Sequence, residues 1–455
     1  MPAVLFSFPI SDADLGWHLR YGESFLNTGR VMRDNQFSWV MPDYRWANHS
    51  WGFDVLEATL FGGHRFWLLS LVGGLVIATS FVILLPSSMM VASISALALN
   101  LYVGNEILNT GFKSSLLSLL FTAILWKIIQ GLHKPSRYYY FLPALFLIWA
   151  NIHGQFIFGL GILGLSILPR FRQSNSIFVF VGCILVTFIN PFGVNLWQTV
   201  LSHFNSPELK GIYEWMPLAL NTPLGVIFIM YLGFLGWGIK ATRPSWSIVL
   251  PLIATALMAL SSRRMIPFMF LLSFPLFTTT IDALVIKRMK ISPQPQSIYI
   301  VLTLCFLSSI YFFTGRNIFS QRWDTYCQTE IFCSEAAVNF IRQHHLTGKL
   351  WNSYRLGGYL DYRLPELKTM IDGRMTLWRD NQGVSAFEQY STMVYTLTGS
   401  RQLFMKMDPD LVLIQPQYPL AHVLSQTEKW PIIFQDDHVL LFQNPRSSTP
   451  SAPTR

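Results

Sequence analysis

Two carboxylates, an imidazole, a guanidinium and a third carboxylate fall within twelve residues, Asp12-Ala13-Asp14-Leu15-Gly16-Trp17-His18-Leu19-Arg20-Tyr21-Gly22-Glu23. Two aspartates one residue apart can take a proton from a hydroxyl as a general base, or hold a hard divalent cation through oxygen. If Asp14 starts a helix, His18 lies one turn later on the same face, while Leu15, Leu19 and Leu26 form the opposite stripe. The expected element is a surface-lying amphipathic helix with its charged side upward and its apolar side toward lipid or protein. The plainer alternative is that Asp12 or Asp14 only caps that helix, Gly29 ends it, and His18 and Arg20 are solvated.

The elements that must position these groups are mostly apolar. The chain has 455 residues, 51% hydrophobic, 15% aromatic and 13% charged, which is too apolar for an ordinary soluble domain. Its formal charge of +9 does not indicate nucleic acid, because the basic residues punctuate apolar runs instead of lining one stripe. Residues 1–10 are apolar but far shorter than the roughly 20 residues a spanning helix needs, and lack the marks of a signal peptide. Either a spanning helix upstream of this start or an unusual start is therefore expected.

Ten apolar segments follow, at 66–85, 88–104, 114–130, 138–150, 155–169, 176–190, 224–239, 247–261, 265–286 and 297–314, several of them short for a full span. The predicted fold is an α-helical polytopic membrane bundle of about ten or eleven spans, with an extracytoplasmic amphipathic-helix loop and a small C-terminal soluble α/β domain. Placing residues 12–65 outside puts Lys134, Arg137, Arg170, Arg172, Lys240, Arg243, Lys287, Arg288 and Lys290 on inside loops. Only Lys113, Lys210, Arg263 and Arg264 fall outside, as the positive-inside tendency requires. The polar features then gather on the extracytoplasmic side. The expected divisions are a first loop at 1–65, a bundle at 66–314, an outer α/β domain at 315–445 and a disordered tail at 446–455.

Each polar feature has a chemical and a structural reading. His153 sits in a five-residue connection, where it either meets a ligand or is satisfied by backbone. Arg263 and Arg264 break the charge bias; two guanidinium forks grip phosphate oxygens well, and equally well reach lipid headgroups. The 191–223 loop, opening Asn190-Pro191-Phe192-Gly193, carries Glu208, Glu214 and Trp215, candidates for substrate contact or for a solvated surface. In the first loop Asn48 or Ser50 can cap a second short helix with Trp51, Val55 and Leu56 on its apolar side. Trp and His near His49 suit a sugar ring or an interfacial belt.

After residue 327 the pattern becomes α/β: helix at 335–346, strands at 349–354 and 368–372, helix near 384–397, then strands at 410–415, 430–436 and 438–443. The turn Ile371-Asp372-Gly373-Arg374 reads as an ordinary Asp-Gly turn. Cys183 and Cys305 read as packing residues. Cys327 and Cys333 can pair in an oxidising compartment, and no cysteine spacing matches a zinc site.

The combination of Asp12-Ala13-Asp14-Leu15-Gly16-Trp17-His18-Leu19, Asn48-His49-Ser50-Trp51, Trp149-Ala150-Asn151-Ile152-His153-Gly154, Asn190-Pro191-Phe192-Gly193, Arg264-Met265-Ile266-Pro267-Phe268, Gly357-Gly358-Tyr359-Leu360 and Ile371-Asp372-Gly373-Arg374 resembles a group of bacterial polytopic membrane proteins similar to the C-type (GT-C) glycosyltransferase superfamily. The resemblance implies a helical bundle in the cytoplasmic membrane, whose first extracytoplasmic loop carries an acidic catalytic residue, with a soluble outer domain. It implies a polyprenyl-phosphate sugar donor and inversion at the anomeric centre. Asp12 and Asp14 match the acidic motif. Three departures stand out: the helix that usually precedes the motif is missing, Gly16 stands where a second tryptophan is common, and Ser50 follows His49 where an acidic residue is frequent.

The expected chemistry is transfer of a sugar from a polyprenyl-phosphate-linked donor to an envelope glycan, lipid or protein. Asp14 serves as base or metal ligand with Asp12 as its partner, Arg263 and Arg264 clamp the phosphate, and His18, Arg20, His49 and His153 contact substrate. A divalent cation, Mg2+ or Mn2+, fits Asp12 and Asp14, although arginines alone can carry the phosphate. Two other readings compete. One is a non-catalytic membrane scaffold binding lipid-linked glycan. The other is a transporter, disfavoured by the scarcity of ionisable residues inside the spans.

Overall fold

The computed structural model describes residues 7–84, 111–131, 137–170, 174–281, 318–328 and 333–447. The expected spans at 88–104 and 297–314, Cys305 and most of the expected tail lie outside the described residues. The chain forms two compact units. One comprises Met1–Ile10, Trp67–Val200 and Leu209–Phe319; the other comprises Ser11–Phe66, Leu201–Glu208 and Ser320–Arg455. Residues 11–65, expected as part of a separate first loop, thus share a unit with the C-terminal residues.

The first unit is helical. All eight expected apolar segments within the described residues are helices: Phe66–Leu84, Ser114–Gln130, Leu142–Ile152, Phe156–Ile167, Ser174–Val186, Pro223–Thr242, Trp246–Ser261 and Ile266–Ile281. Counting the 3-10 turn Arg263–Met265 with the last of these, three are long and apolar enough to cross a membrane, and the other five are shorter, as expected of several. The Ile266–Ile281 helix is the packing centre, with most of its side chains buried. It touches Ser114–Gln130, Pro223–Thr242 and Trp246–Ser261. Gly238 lets the Pro223–Thr242 helix approach it closely, since a Cβ there would lie 2.2 Å from Thr280 Oγ1; Tyr231 and Ser273 share a hydrogen bond of 2.6 Å across the same contact. Phe178, Leu185, Met230 and Leu257 are exposed on this unit, the side-chain chemistry that hydrocarbon solvates and water does not.

The second unit holds a five-stranded sheet in the order β2-β1-β3-β5-β4. Its strands are β1 (Lys349–Asn352), β2 (Lys368–Thr369), β3 (Leu411–Ile414), β4 (Ile432–Gln435) and β5 (Leu440–Gln443). β2, β1 and β3 run parallel, while β5 is antiparallel to both β3 and β4. Every strand expected from alternation is present. The helices Gly357–Arg363 and Ser400–Met407 were not anticipated; the first opens on two glycines, a poor helix signature.

The acidic stretch is a helix, Leu15–Thr28, closed as expected by Gly29 in the left-handed region at φ 65°. It is not a surface-lying amphipath. It packs on the Trp51–Phe61 and Gly357–Arg363 helices, with Leu15, Trp17, His18, Leu19 and Tyr21 all buried. Gly16 is explained here: a Cβ at 16 would lie 1.9 Å from Gly358 O, so a tryptophan cannot stand there. The Trp51–Phe61 helix is turned from its expected face. Phe53, Asp54, Glu57, Ala58 and Phe61 point inward, whereas Trp51, Val55 and Leu56 are only partly covered.

Cys327 and Cys333 form a disulfide. Beside it, the Tyr326 hydroxyl donates to Asp12 O at 2.6 Å, so the bridge fastens a residue that touches the acidic motif. Replacing both cysteines by serine is expected to lower the unfolding free energy by roughly 2–3 kcal/mol, the value for closing so short a loop. Thermal unfolding of the paired variants with and without reductant checks it.

Candidate functional site

Asp14 occupies the N-cap position of the Leu15–Thr28 helix, yet its carboxylate makes no capping bond. Asp14 Oδ1 accepts from Trp17 Nε1 at 2.9 Å instead, and Asp12 Oδ1 accepts the Asp14 backbone N–H at 3.1 Å. The capping alternative therefore fails for Asp14, whose half-buried carboxylate is left oriented by an indole. Its pKa is pushed up to about 6 by burial first and by Asp12 next; His18 and the Trp17 bond pull the other way, and Asp372 adds to the rise. A carboxyl tuned toward neutrality is what proton abstraction at physiological pH uses.

Beneath it lies a buried pair that the sequence did not reveal. His18 Nδ1 sits 2.6 Å from Asp54 Oδ1, and Asp54 Oδ2 accepts from Asn48 Nδ2 at 2.6 Å. Burial opposes charge on His18, but the Asp54 carboxylate outweighs it and the imidazole pKa is raised. His18 is thus held by Asp54, stacked on Trp17 and buried, instead of solvated. Glu57, one turn after Asp54, is also buried, with Oε2 lacking a partner among the described residues. Burial, then Asp12 and Asp54, push its carboxyl well above the usual range. No local signal marked either acid: by residue type the face of Trp51, Val55, Leu56 and Leu60 is the more apolar one, so periodicity alone assigns Asp54 and Glu57 to water.

Arg20 does not reach outward. Its guanidinium donates to Asp361 O at 2.9 Å and Pro365 O at 3.1 Å and lies 4.2 Å over the Phe37 ring. The Asp-Gly turn is more than a turn. Asp372 binds Arg374 through two parallel bonds of 2.8 and 2.6 Å, both side chains buried, and Gly373 presses on the motif. A Cβ at 373 would fall 1.8 Å from Asp14 Oδ1. We expect Gly373→Ala to displace that carboxylate and to cost roughly 1–3 kcal/mol of stability, the range for overpacking a filled site. Thermal unfolding checks this; an unchanged midpoint would deny the close contact. His49 packs 5.4 Å from His203 and 6.3 Å from Trp46, ring to ring.

The first unit carries a separate polar cluster. Arg264 Nη1 donates to Glu214 Oε1 at 2.7 Å, Arg264 Nη2 lies 3.3 Å from His153 Nε2, and Lys113 Nζ lies 3.8 Å from Glu214 Oε2. A guanidinium only donates, so His153 Nε2 is the acceptor, and the proton on Nδ1 goes to Ser118 Oγ at 2.8 Å. Trp149 Nε1 donates to the same hydroxyl at 2.8 Å. Burial alone would raise the Glu214 carboxyl, but Arg264 and Lys113 outweigh it and the pKa is lowered. Glu214 is therefore an ion-pair partner instead of a solvated residue. Arg263 lies 4.2 Å over the Tyr213 ring and Arg264 5.0 Å over the Trp215 ring.

For a metal, no three His, Cys, Asp or Glu side chains among the described residues converge as ligands. Asp12 and Asp14 supply two carboxylates. That set is too small for a closed protein site and fits a Mg2+-like ion completed by water and substrate phosphate.

No family model and no curated protein sequence matches the chain. Its fold, however, is similar to that of solved structures. The archaeal oligosaccharyltransferase AglB from Archaeoglobus fulgidus, in complex with an inhibitory peptide and a dolichol-phosphate, aligns at TM-score 0.58 and 9% identity, over 90% of this chain and 66% of that one. The apo form of the Archaeoglobus fulgidus oligosaccharyltransferase aligns at 0.54 and 11% identity, with the same coverage. ArnT from Cupriavidus metallidurans bound to undecaprenyl phosphate aligns at 0.56 and 11% identity, over 98% of this chain and 96% of that one. The chain spans about two thirds of the oligosaccharyltransferase length. At such identities the likeness is one of fold, and that fold is GT-C-like.

Proposed function

We propose that this protein transfers a sugar from a polyprenyl-phosphate donor to an envelope acceptor, with inversion, on the extracytoplasmic side of the bacterial cytoplasmic membrane. The observation that carries the reading is Asp14: a carboxylate free of capping duty, oriented by Trp17 and tuned to about 6 by its burial and by Asp12. The reading is supported by the fold shared with proteins whose structures hold dolichol-phosphate and undecaprenyl phosphate, and by a disulfide suited to an oxidising compartment.

In this reading Asp14 accepts the proton of the acceptor hydroxyl as its oxygen bonds to the anomeric carbon. The bond from that carbon to the phosphate oxygen breaks, and the negative charge passes to the lipid phosphate. Asp12 holds the Asp14 backbone N–H and raises the basicity of its carboxylate. The buried imidazole of His18 fixes the floor under the motif and limits that rise. Within the first unit, Arg264, ordered by Glu214 beside Lys113, is a cation of the kind that binds a lipid phosphate. A divalent cation held by Asp12 and Asp14 would neutralise developing phosphate charge. One-step displacement from the face opposite the phosphate gives inversion.

The test is purification with native lipids, mass spectrometry of any co-purifying polyprenyl-linked sugar, and reconstitution with that donor. Turnover to a product of inverted anomeric configuration supports the proposal. Donor binding without turnover would instead make the protein a membrane scaffold for lipid-linked glycan.

A further inference from the structure

The sheet of the second unit holds a place the acidic motif does not use. β1 lies between the strand that follows it, β2, and β3, all three parallel. The chain therefore leaves β1 toward one edge and crosses back to the other side for β3. In open α/β sheets of this order the crevice at the carboxyl ends of those two strands is where ligands bind.

The residues at those ends are unusual. Ser353 follows β1 and Gln415 follows β3; both are buried, at 1% and 3% exposure, and Ser353 Oγ and Gln415 Oε1 have no hydrogen-bond partner among the described residues. Two orphaned polar atoms at adjacent strand ends are a liability unless a ligand meets them. Aromatic rings gather at the same ends. Tyr354 packs 5.0 Å from Phe387, Phe387 6.0 Å from Tyr390, and Tyr395 6.1 Å from Tyr418. Tyr354, Phe387 and Tyr418 are only partly buried and Tyr395 is 53% exposed.

That chemistry favours a neutral sugar over a phosphate. Aromatic faces pack on the C–H faces of pyranose rings, while hydroxyl hydrogens satisfy a glutamine carbonyl and a serine oxygen. The glycines after β1 are not free to cradle phosphate: a Cβ on Gly357 would lie 2.1 Å from Ile371 O and one on Gly358 2.4 Å from Ala13 O, so both are consumed in packing. We infer that the carboxyl ends of β1 and β3 form an oligosaccharide-binding site, in which Tyr354, Phe387, Tyr395 and Tyr418 stack on sugar rings and Ser353 and Gln415 bind hydroxyls. Tyr354 shares a hydrogen bond of 2.7 Å with Thr376, in the same short turn as Gly373 that presses on Asp14. In the proposed transfer, on which this assignment rests, the site holds a part of the acceptor glycan away from the hydroxyl that meets Asp14.

Full-length protein in lipid nanodiscs, titrated with cello-, chito-, malto- and xylohexaose and followed by saturation-transfer NMR, tests it. Binding of at least one oligosaccharide is expected at or below about 10 mM, weakened at least about tenfold by Tyr395→Ala and by Gln415→Met. Asp14→Asn should leave that binding unchanged, which separates this site from the proposed reaction. No binding by any of the four, or equal binding by both variants with wild-type thermal unfolding, overturns it. Should Gln415→Met fold poorly, the exposed Tyr395→Ala decides alone.

Discussion

Asp14→Asn is expected to lower sugar transfer by about 100- to 10,000-fold, the usual contribution of a positioned general base. Asparagine keeps the shape and still accepts from Trp17 Nε1, so what disappears is the capacity to take a proton. The fold should not suffer. A carboxyl whose pKa is raised to about 6 is one whose charged form the folded state disfavours, so the neutral amide should preserve or increase stability at neutral pH. Loss of turnover with undiminished thermal stability is a combination that a structural role does not produce.

The pH profile sharpens the point. The carboxylate is the active form, so kcat/KM should rise with pH through about 6 and level above it. Asp12 is the second cause of the raised value, after burial. Asp12→Asn should therefore move the acid limb to lower pH, whatever it does to the plateau. Proteoliposomes charged with a polyprenyl-phosphate sugar give both measurements. Unchanged turnover in Asp14→Asn would remove the assigned role, and an unmoved limb in Asp12→Asn would deny the coupling between the two aspartates.

Arg374→Met is expected to cost about 3–5 kcal/mol of stability, the range for breaking a buried ion pair from one side. Arg374 is buried, doubly bonded to Asp372, 4.0 Å from Asp361 Oδ2 and 4.4 Å over the Phe37 ring. Without it two buried carboxyls lose their counter-charge. Burial first, and Asp372 next, already push the Asp361 carboxyl well above the ordinary range, with Arg374 restraining it. Removing the restraint raises it further. A raised folded pKa makes the charged form the unfavourable one, so the loss should grow as pH rises above the ordinary carboxyl value and shrink in acid. Adding Asp372→Asn should recover a large part, because a missing pair is far less harmful than a broken one. Thermal unfolding across pH checks all three; a loss below about 1 kcal/mol would mean the pair is not buried as described.

The most direct lesson concerns which residues face where. Among the described residues periodicity located eight apolar helices and every strand, because a segment long enough to repeat 3.6 or 2 reveals its own state. It missed the Gly357–Arg363 helix, whose two opening glycines are poor helix formers and earn their place by letting the helix cross Gly16. It also turned the Trp51–Phe61 helix the wrong way. Judged alone, Asp54 and Glu57 belong in water; only the arrival of His18 from 36 residues away makes Asp54 a buried residue.

The sequence by itself determined the apolar helices, the α/β pattern near the C-terminus and the glycine that ends the Leu15–Thr28 helix. These follow from local repeats, turn residues and side-chain type, all properties of neighbours along the chain. Tertiary structure alone decided that His18 is held by Asp54, that Arg20 and Arg374 are spent on internal carbonyls and carboxylates, that Glu214 belongs to Arg264, and that Gly373 leaves room for the carboxylate of Asp14. Each of those depends on which distant group fills the space beside a charge, and the free energy of a charge in a protein is set by that neighbour rather than by its own stretch of chain.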